Sequence, residues 1–306
     1  MCFVLILPAA NVGTAAAQAT HILVVTGTPG DEEHAKKFDA WAKTFIDAAK
    51  TKDAVPESNI TYLADKQATK VAVEKAVTDL AAKAKSNDTV VVLLLGHGSF
   101  DGSVAAFNLM GPDPTAADFA KLLGKFTTQH VVFVDTSSSS GAFLPAVAGP
   151  GRVVITATKT GGERNETSFG EYFVAAFNDP AADRDHNGHV SIQEAFDFAK
   201  NKVAEAFKEK GLILTEHAVL DDGAEGKLAS AVYLGIGRSD AALNVDTSDP
   251  AIKVLVDERD AIQKQIEGLL LRKASMPPAE YDAEMEKLLT GLALKTKAIR
   301  DLQAKK

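Results

Sequence analysis

The sequence predicts an α/β protein with a mostly parallel sheet, helices on both faces and a C-terminal helical hairpin. Three observations carry that expectation. Short aliphatic runs such as His21–Gly27, Thr89–Ser99 and Arg152–Thr158 read as strands buried on both faces. They alternate with amphipathic segments long enough to return across a sheet, the pattern of right-handed βαβ units. From residue 246 onward the apolar spacing becomes that of two long helices.

In chain order, residues 1–19 carry no charged side chain, and the apolar run Cys2–Leu7 leads into small residues ending Ala17-Gln18-Ala19. That is an A-x-A processing pattern, so residues 1–19 are expected to be a signal peptide of a secreted or periplasmic protein. A buried first strand is the competing reading. The run is too short to span a bilayer, so no membrane span is expected. His21–Gly27 is the first strand of the body, and residues 31–50 place Phe38, Trp41, Phe45 and Ile46 at helical spacing. Asn59–Asp65 reads as a strand, and residues 69–85 as a helix with Val73, Val77 and Leu80 on one face. A third strand covers 89–99, a capped helix 115–126, a fourth strand 130–143 running into a Ser/Gly loop, and a fifth strand 152–158. Helices are expected at 169–177 and 190–211, and a last strand at 230–237. This α/β domain occupies residues 20–245. In 246–306, Leu255, Ile262, Ile266 and Leu269, then Tyr281, Met285, Leu288, Leu292, Ile299 and Leu302, form two apolar seams broken at Ser275-Met276-Pro277-Pro278. They predict an antiparallel hairpin or coiled coil, with self-association through it as a further option.

Composition narrows the function. A net charge of −8 over 306 residues leaves no basic footprint for nucleic acid. The single cysteine, Cys2, excludes a disulfide framework and a cysteine zinc site. In an open parallel sheet, ligands bind beyond the carboxyl ends of the strands. Two neighbouring strands end there in residues capable of chemistry: Gly96-His97-Gly98-Ser99, and Asp135-Thr136 followed by Ser137, Ser138, Ser139, Ser140 and Gly141. A histidine flanked by glycines, facing a hydroxyl across one edge, is what acyl-transfer chemistry uses. The competing readings are a structural Gly-His-Gly turn and a polar serine loop. Gly27-Thr28-Pro29-Gly30-Asp31 lacks the glycine spacing and lysine of a phosphate loop. His21, His34, His130 and His217 show no ligand spacing.

The order strand, Gly96-His97-Gly98, helix, strand ending Asp135-Thr136-Ser137-Ser138-Ser139-Ser140-Gly141 resembles the legumain family and the wider caspase-like cysteine peptidases. Ile155-Thr156-Ala157-Thr158 and the segment Glu163–Phe173 extend the likeness, which covers roughly residues 20–240. The resemblance implies a caspase-like sheet, with His97 as catalytic histidine. Ser137 stands at the nucleophilic cysteine when the motif is aligned from Asp135, and Ser138 when it is aligned from Ser140-Gly141. This sequence departs from the family at that residue: a hydroxyl, unlike a thiol, is not appreciably ionised at neutral pH and needs an oriented base. The expectation is a degenerate homologue whose cleft binds a peptide or protein segment; the alternative is a serine-dependent endopeptidase using Ser137 or Ser138 with His97.

Residues 183–194 carry a second motif. Asp183, Asp185, Asn187, Gly188, Val190, Ser191 and Glu194 match every defined position of an EF-hand-type calcium loop. Calcium takes six to eight hard oxygens. Here they come from Asp183, Asp185 and Asn187, the His189 carbonyl, Ser191 (often through water) and bidentate Glu194, while Gly188 makes the sharp turn. Structural Ca2+ is the expected cofactor, and an acidic turn that only caps the next helix is the competing reading.

Overall fold

A computed structural model describes residues 19–184, 188–223, 226, 228–235, 249–272 and 276–303. Eight strands and nine helices follow in the order β1 (Thr20–Thr26), α1 (Glu32–Thr51), β2 (Ile60–Leu63), α2 (Lys70–Lys83), β3 (Thr89–Leu95), β4 (Gly98–Phe100), β5 (Ala105–Phe107), α3 (Ala116–Leu123), β6 (His130–Asp135), α4 (Leu144–Val147), β7 (Arg152–Thr156), α5 (Phe169–Ala176), α6 (Ile192–Glu209), β8 (Val219–Asp221), α7 (Leu228–Ala231), α8 (Pro250–Arg272) and α9 (Pro278–Gln303) among the described residues. The main sheet has the order β2-β1-β3-β6-β7-β8. Neighbours are parallel except β8, which runs antiparallel to β7.

Side-chain alternation divides the core into two layers. Ile22, Val24, Val91, Leu93, Val132 and Val134 pack against Phe38, Trp41 and Phe45 of α1, Phe169 and Phe173 of α5, and Phe196 of α6. Their chain neighbours Leu23, Val25, Val90, Val92, Leu94 and Phe133 face the other way, against Val73, Val77 and Leu80 of α2 and Phe119 and Leu123 of α3. Strands with both faces covered have no polar alternation, which is why β1, β3 and β6 read as continuous apolar runs. Each buried Phe or Leu contributes about 1.5–3 kcal/mol by leaving water.

The hairpin seams pack on one another within the chain. Ile266 and Leu269 meet Tyr281 and Met285 near the turn, and Ile252 and Val256 meet Ile299 at the open end, so α8 and α9 are antiparallel. None of the described helices is long and apolar enough to cross a membrane.

Three features differ from the sequence-based expectations. The strand expected at 230–237 is not formed over its described part: Leu228–Ala231 is a helical turn, and Tyr233 makes an isolated bridge to Ser191. The sheet edge is instead taken by β8, whose three residues are too short to give a period. The third strand, expected to reach residue 99, stops at Leu95, and the chain turns into the β4–β5 hairpin. Gly96 permits that exit, because a Cβ there would lie 2.9 Å from the Gly27 Cα and 3.0 Å from the Phe107 ring. At the opposite edge, Ala19 belongs to the fold: its N–H donates to Asp88 Oδ1 at 2.9 Å, and its carbonyl accepts from Thr89 N–H at 2.9 Å. Residues 1–18, which hold the remainder of the expected signal peptide, lie outside the described residues.

Candidate functional site

The parallel register pairs Leu94 of β3 with Asp135 of β6. The segments carrying His97 and Ser137–Ser138 therefore leave one carboxyl edge side by side, as the strand-end motifs predict. Gly98 brings them into contact. A Cβ at this position would overlap the Ser137 hydroxyl and the Ser138 carbonyl, so the glycine serves the packing of these two loops on each other.

Asp135 organises the serine loop. Its fully buried carboxyl accepts from Ser137 N–H at 2.9 Å and from Ser137 Oγ–H at 2.6 Å, both on Oδ1. Oδ2 is buried without a hydrogen-bond partner among the described residues. Burial raises the Asp135 pKa to about 6, and the two Ser137 hydrogen bonds hold it back from rising further. Ser137 is itself fully buried, whereas Ser138 is half-buried and donates its hydroxyl to the Gly98 carbonyl at 3.2 Å. Ser139 adopts left-handed backbone at φ 60° and donates its N–H to the Glu163 carbonyl at 2.8 Å. The loop from 157 to 168 is thereby stitched to the serine turn, and Thr167 Oγ–H adds a bond to the Thr136 carbonyl.

His97 is half-buried and held on three sides. Its Nε2 lies 3.1 Å from the Pro29 carbonyl. A carbonyl only accepts, so Nε2 carries the hydrogen, and in the neutral ring Nδ1 keeps its lone pair. Phe38 and His34 contact the ring with centroids 5.2 and 4.9 Å away. His34 stands on the first turn of α1, its Nδ1 2.7 Å from Asp31 Oδ2 and its Nε2 3.4 Å from Glu166 Oε2. Lys37, one turn along, also pairs with Glu166. The hydrogen bond to Asp31 raises the His34 pKa above the usual imidazole value, and Glu166 adds to the effect. Glu166 is in turn held below the usual carboxylate range by Lys37.

No sequence motif marks these surroundings of His97. His34, Asp31 and Glu166 match no ligand or triad spacing, because they come from two elements more than 100 residues apart. The signal that finds them is topological: β1 is the neighbour of β3, so the loop after β1 must open on the same edge.

The calcium-type loop is described in part. Gly188 has φ +90°, and its N–H donates to Asp183 Oδ2 at 2.9 Å. Ser191 and Glu194 form a reciprocal capping box at the start of α6, and Glu194 Oε1 also accepts from Arg184 N–H at 2.9 Å. The His189 ring lies 3.8 Å from Asp53 Oδ1, leaving its carbonyl as the expected ligand atom. Asp185 and Asn187 lie outside the described residues.

No protein-family model matches the sequence, and no curated protein does either. Among solved structures, the chain is similar to protein GSU0716 from Geobacter sulfurreducens, with 14% identity and a TM-score of 0.45 over 66% of this chain and 92% of that one. It is also similar to Raptor from Chaetomium thermophilum, with 9% identity and a TM-score of 0.42 over 92% of this chain and 25% of that one. At these scores neither likeness bears on function.

Proposed function

We propose that the carboxyl-edge cleft beside His97 and Ser138 binds an extended peptide or protein segment without hydrolysing it, in a degenerate relative of the caspase-like and legumain-like peptidases. The observation that carries this reading is where the hydroxyls point. Ser137 spends its proton on Asp135 in a fully buried position, and Ser138 spends its own on the Gly98 carbonyl. The His97 Nε2–H is committed to Pro29, and no hydrogen bond among the described residues joins the imidazole to a serine hydroxyl. A serine nucleophile needs a base that takes its proton. What the edge does offer is a shelf for a chain: half-exposed His97, Gly98 and Ser138, backed by the glutamate and lysine of the His34 cluster.

One observation favours the hydrolase alternative. A carboxyl at about 6, 2.6 Å from Ser137 Oγ, is a competent base near neutral pH. Fluorophosphonate labelling read by intact mass separates the two. The binding reading expects no adduct on the natural protein, and thiol labelling of Ser138→Cys, the half-exposed position. An adduct that disappears in Ser137→Ala establishes the hydrolase instead.

Structural calcium at 183–194 belongs to the same proposal. The left-handed Gly188, its bond to Asp183 and the placement of Glu194 at the head of α6 support it. An exported protein meets millimolar calcium, which suits an unpaired loop of this kind, and the leader-like residues 1–19 support that location.

A further inference from the structure

A cavity of about 400 Å³ opens between α6, Lys159 and the segment that leads into β8. Its floor is apolar, formed by Val203, Leu214 and Val219. Exposed Lys159, Lys200 and Asn201 border it. Neither lysine is in an ion pair among the described residues; the Lys200 ammonium lies over the Phe196 ring, 5.4 Å from its centroid. Glu216 and His217 also line the cavity, and the carboxyls of Glu216 and nearby Glu163 are already committed. Glu216 accepts from Ser168 N–H at 2.9 Å and Phe169 N–H at 2.7 Å at the start of α5. Glu163 accepts from the backbone N–H groups of Lys159 and His217, each at 3.1 Å. An apolar floor beside two lysines outside any ion pair among the described residues, with the one lining carboxyl held by backbone N–H groups, suits an anion carrying a hydrocarbon chain. The volume is at the lower end of the range for small-molecule sites, which sets the size of that chain.

We infer that this cavity binds a medium-chain aliphatic carboxylate, its carboxylate between Lys159 and Lys200 and its chain along Val203, Leu214 and Val219. The site is separate from the His97 cleft and stands whether or not that cleft binds peptide. It touches the serine turn indirectly, because Glu163, which fixes Lys159, also accepts from Ser139 N–H at 2.8 Å through its carbonyl.

The test is calorimetric titration of the whole chain with sodium butyrate, hexanoate and octanoate, and with octanol as the uncharged control. The expected result is saturable one-to-one binding of octanoate. Affinity should rise about threefold to fourfold per methylene along the series, the factor for a buried CH₂. Octanol should bind at least about tenfold more weakly, the loss that about 1.4 kcal/mol of ion pairing represents. The double variant Lys159→Ala/Lys200→Ala changes exposed side chains and is expected to keep its melting temperature while losing octanoate affinity by a similar factor. Leu214→Asp should abolish binding by placing a charge on the floor. No saturable heat with octanoate, equal binding of octanol and octanoate, or undiminished binding in the folded double variant would each overturn the assignment.

Discussion

Replacing Asp135 by asparagine tests how the serine turn is held. Burial raises this carboxyl from the ordinary aspartate value to about 6, so the folded chain binds the proton more tightly than the unfolded one. The sign follows from linkage. The group's contribution to stability is complete below the unfolded value and is lost as pH rises through the folded one. A rise of roughly two units corresponds to about 3 kcal/mol in all, of which about 1.4 kcal/mol is lost between pH 5 and pH 8. Asparagine has no such proton, yet its Oδ1 still accepts from Ser137 N–H and Oγ–H. Its Nδ2 replaces an oxygen with no partner among the described residues, which adds a pH-independent cost of about 1–3 kcal/mol. Urea unfolding of both proteins at pH 5, 6, 7 and 8 gives the difference in stability, from which other titrating groups cancel. The asparagine variant should gain on the natural protein by about 1.4 kcal/mol across that range. A difference that stays flat with pH, or moves the other way, refutes the reasoning, because either result means that the carboxylate is not desolvated as the geometry requires.

Three other outcomes follow from the structure. Millimolar calcium should raise the melting temperature, by the equivalent of about 2.7 kcal/mol at a hundredfold excess over Kd; Glu194→Ala should abolish the rise, whereas a loop that only caps α6 would lose the same stability with and without calcium. A chain beginning at Thr20 should melt lower than one beginning at Gln18, because it lacks the Ala19 carbonyl that accepts from Thr89 and the Ala19 N–H that reaches Asp88; equal melting temperatures would show that these bonds contribute nothing. In an NMR titration, His34 should have a midpoint above the ordinary imidazole value of about 6.5, falling toward it in Asp31→Asn; an unchanged midpoint would remove Asp31 as the cause.

What the sequence discloses and what it hides divide along physical lines. Strands buried on both faces announce themselves, since Leu23 and Val24 face opposite layers and both must be apolar. The hairpin is legible because Ile262, Ile266 and Leu269, and then Tyr281, Met285 and Leu288, repeat at helical spacing. The edge strand β8 is hidden: three half-buried residues leave no pattern, whereas the apolar segment near Tyr233 invites a strand that the structure replaces with a turn and a bridge. The shared edge of His97 and Ser137 is legible, because parallel order and strand ends determine it. The direction of each hydroxyl is not. Whether Ser137 turns toward His97 or toward Asp135 depends on a contact two residues away in sequence and on a buried carboxyl whose state follows from tertiary burial. The glycines around His97 show the same limit. Their presence marks a close approach, but only the fold shows that the approaching groups are Gly27 and Ser137.

The proposed function requires that the cleft hold a peptide and leave it intact. The most direct measurement follows the His97 imidazole resonances while a pool of unstructured decapeptides is titrated into the natural protein, with the pool weighed by mass spectrometry at the end. A binding cleft should give a saturable shift of His97, passed to His34 across their 4.9 Å ring contact, with every peptide mass unchanged. Cleaved peptides, or a His97 resonance that stays still up to millimolar peptide, would contradict it.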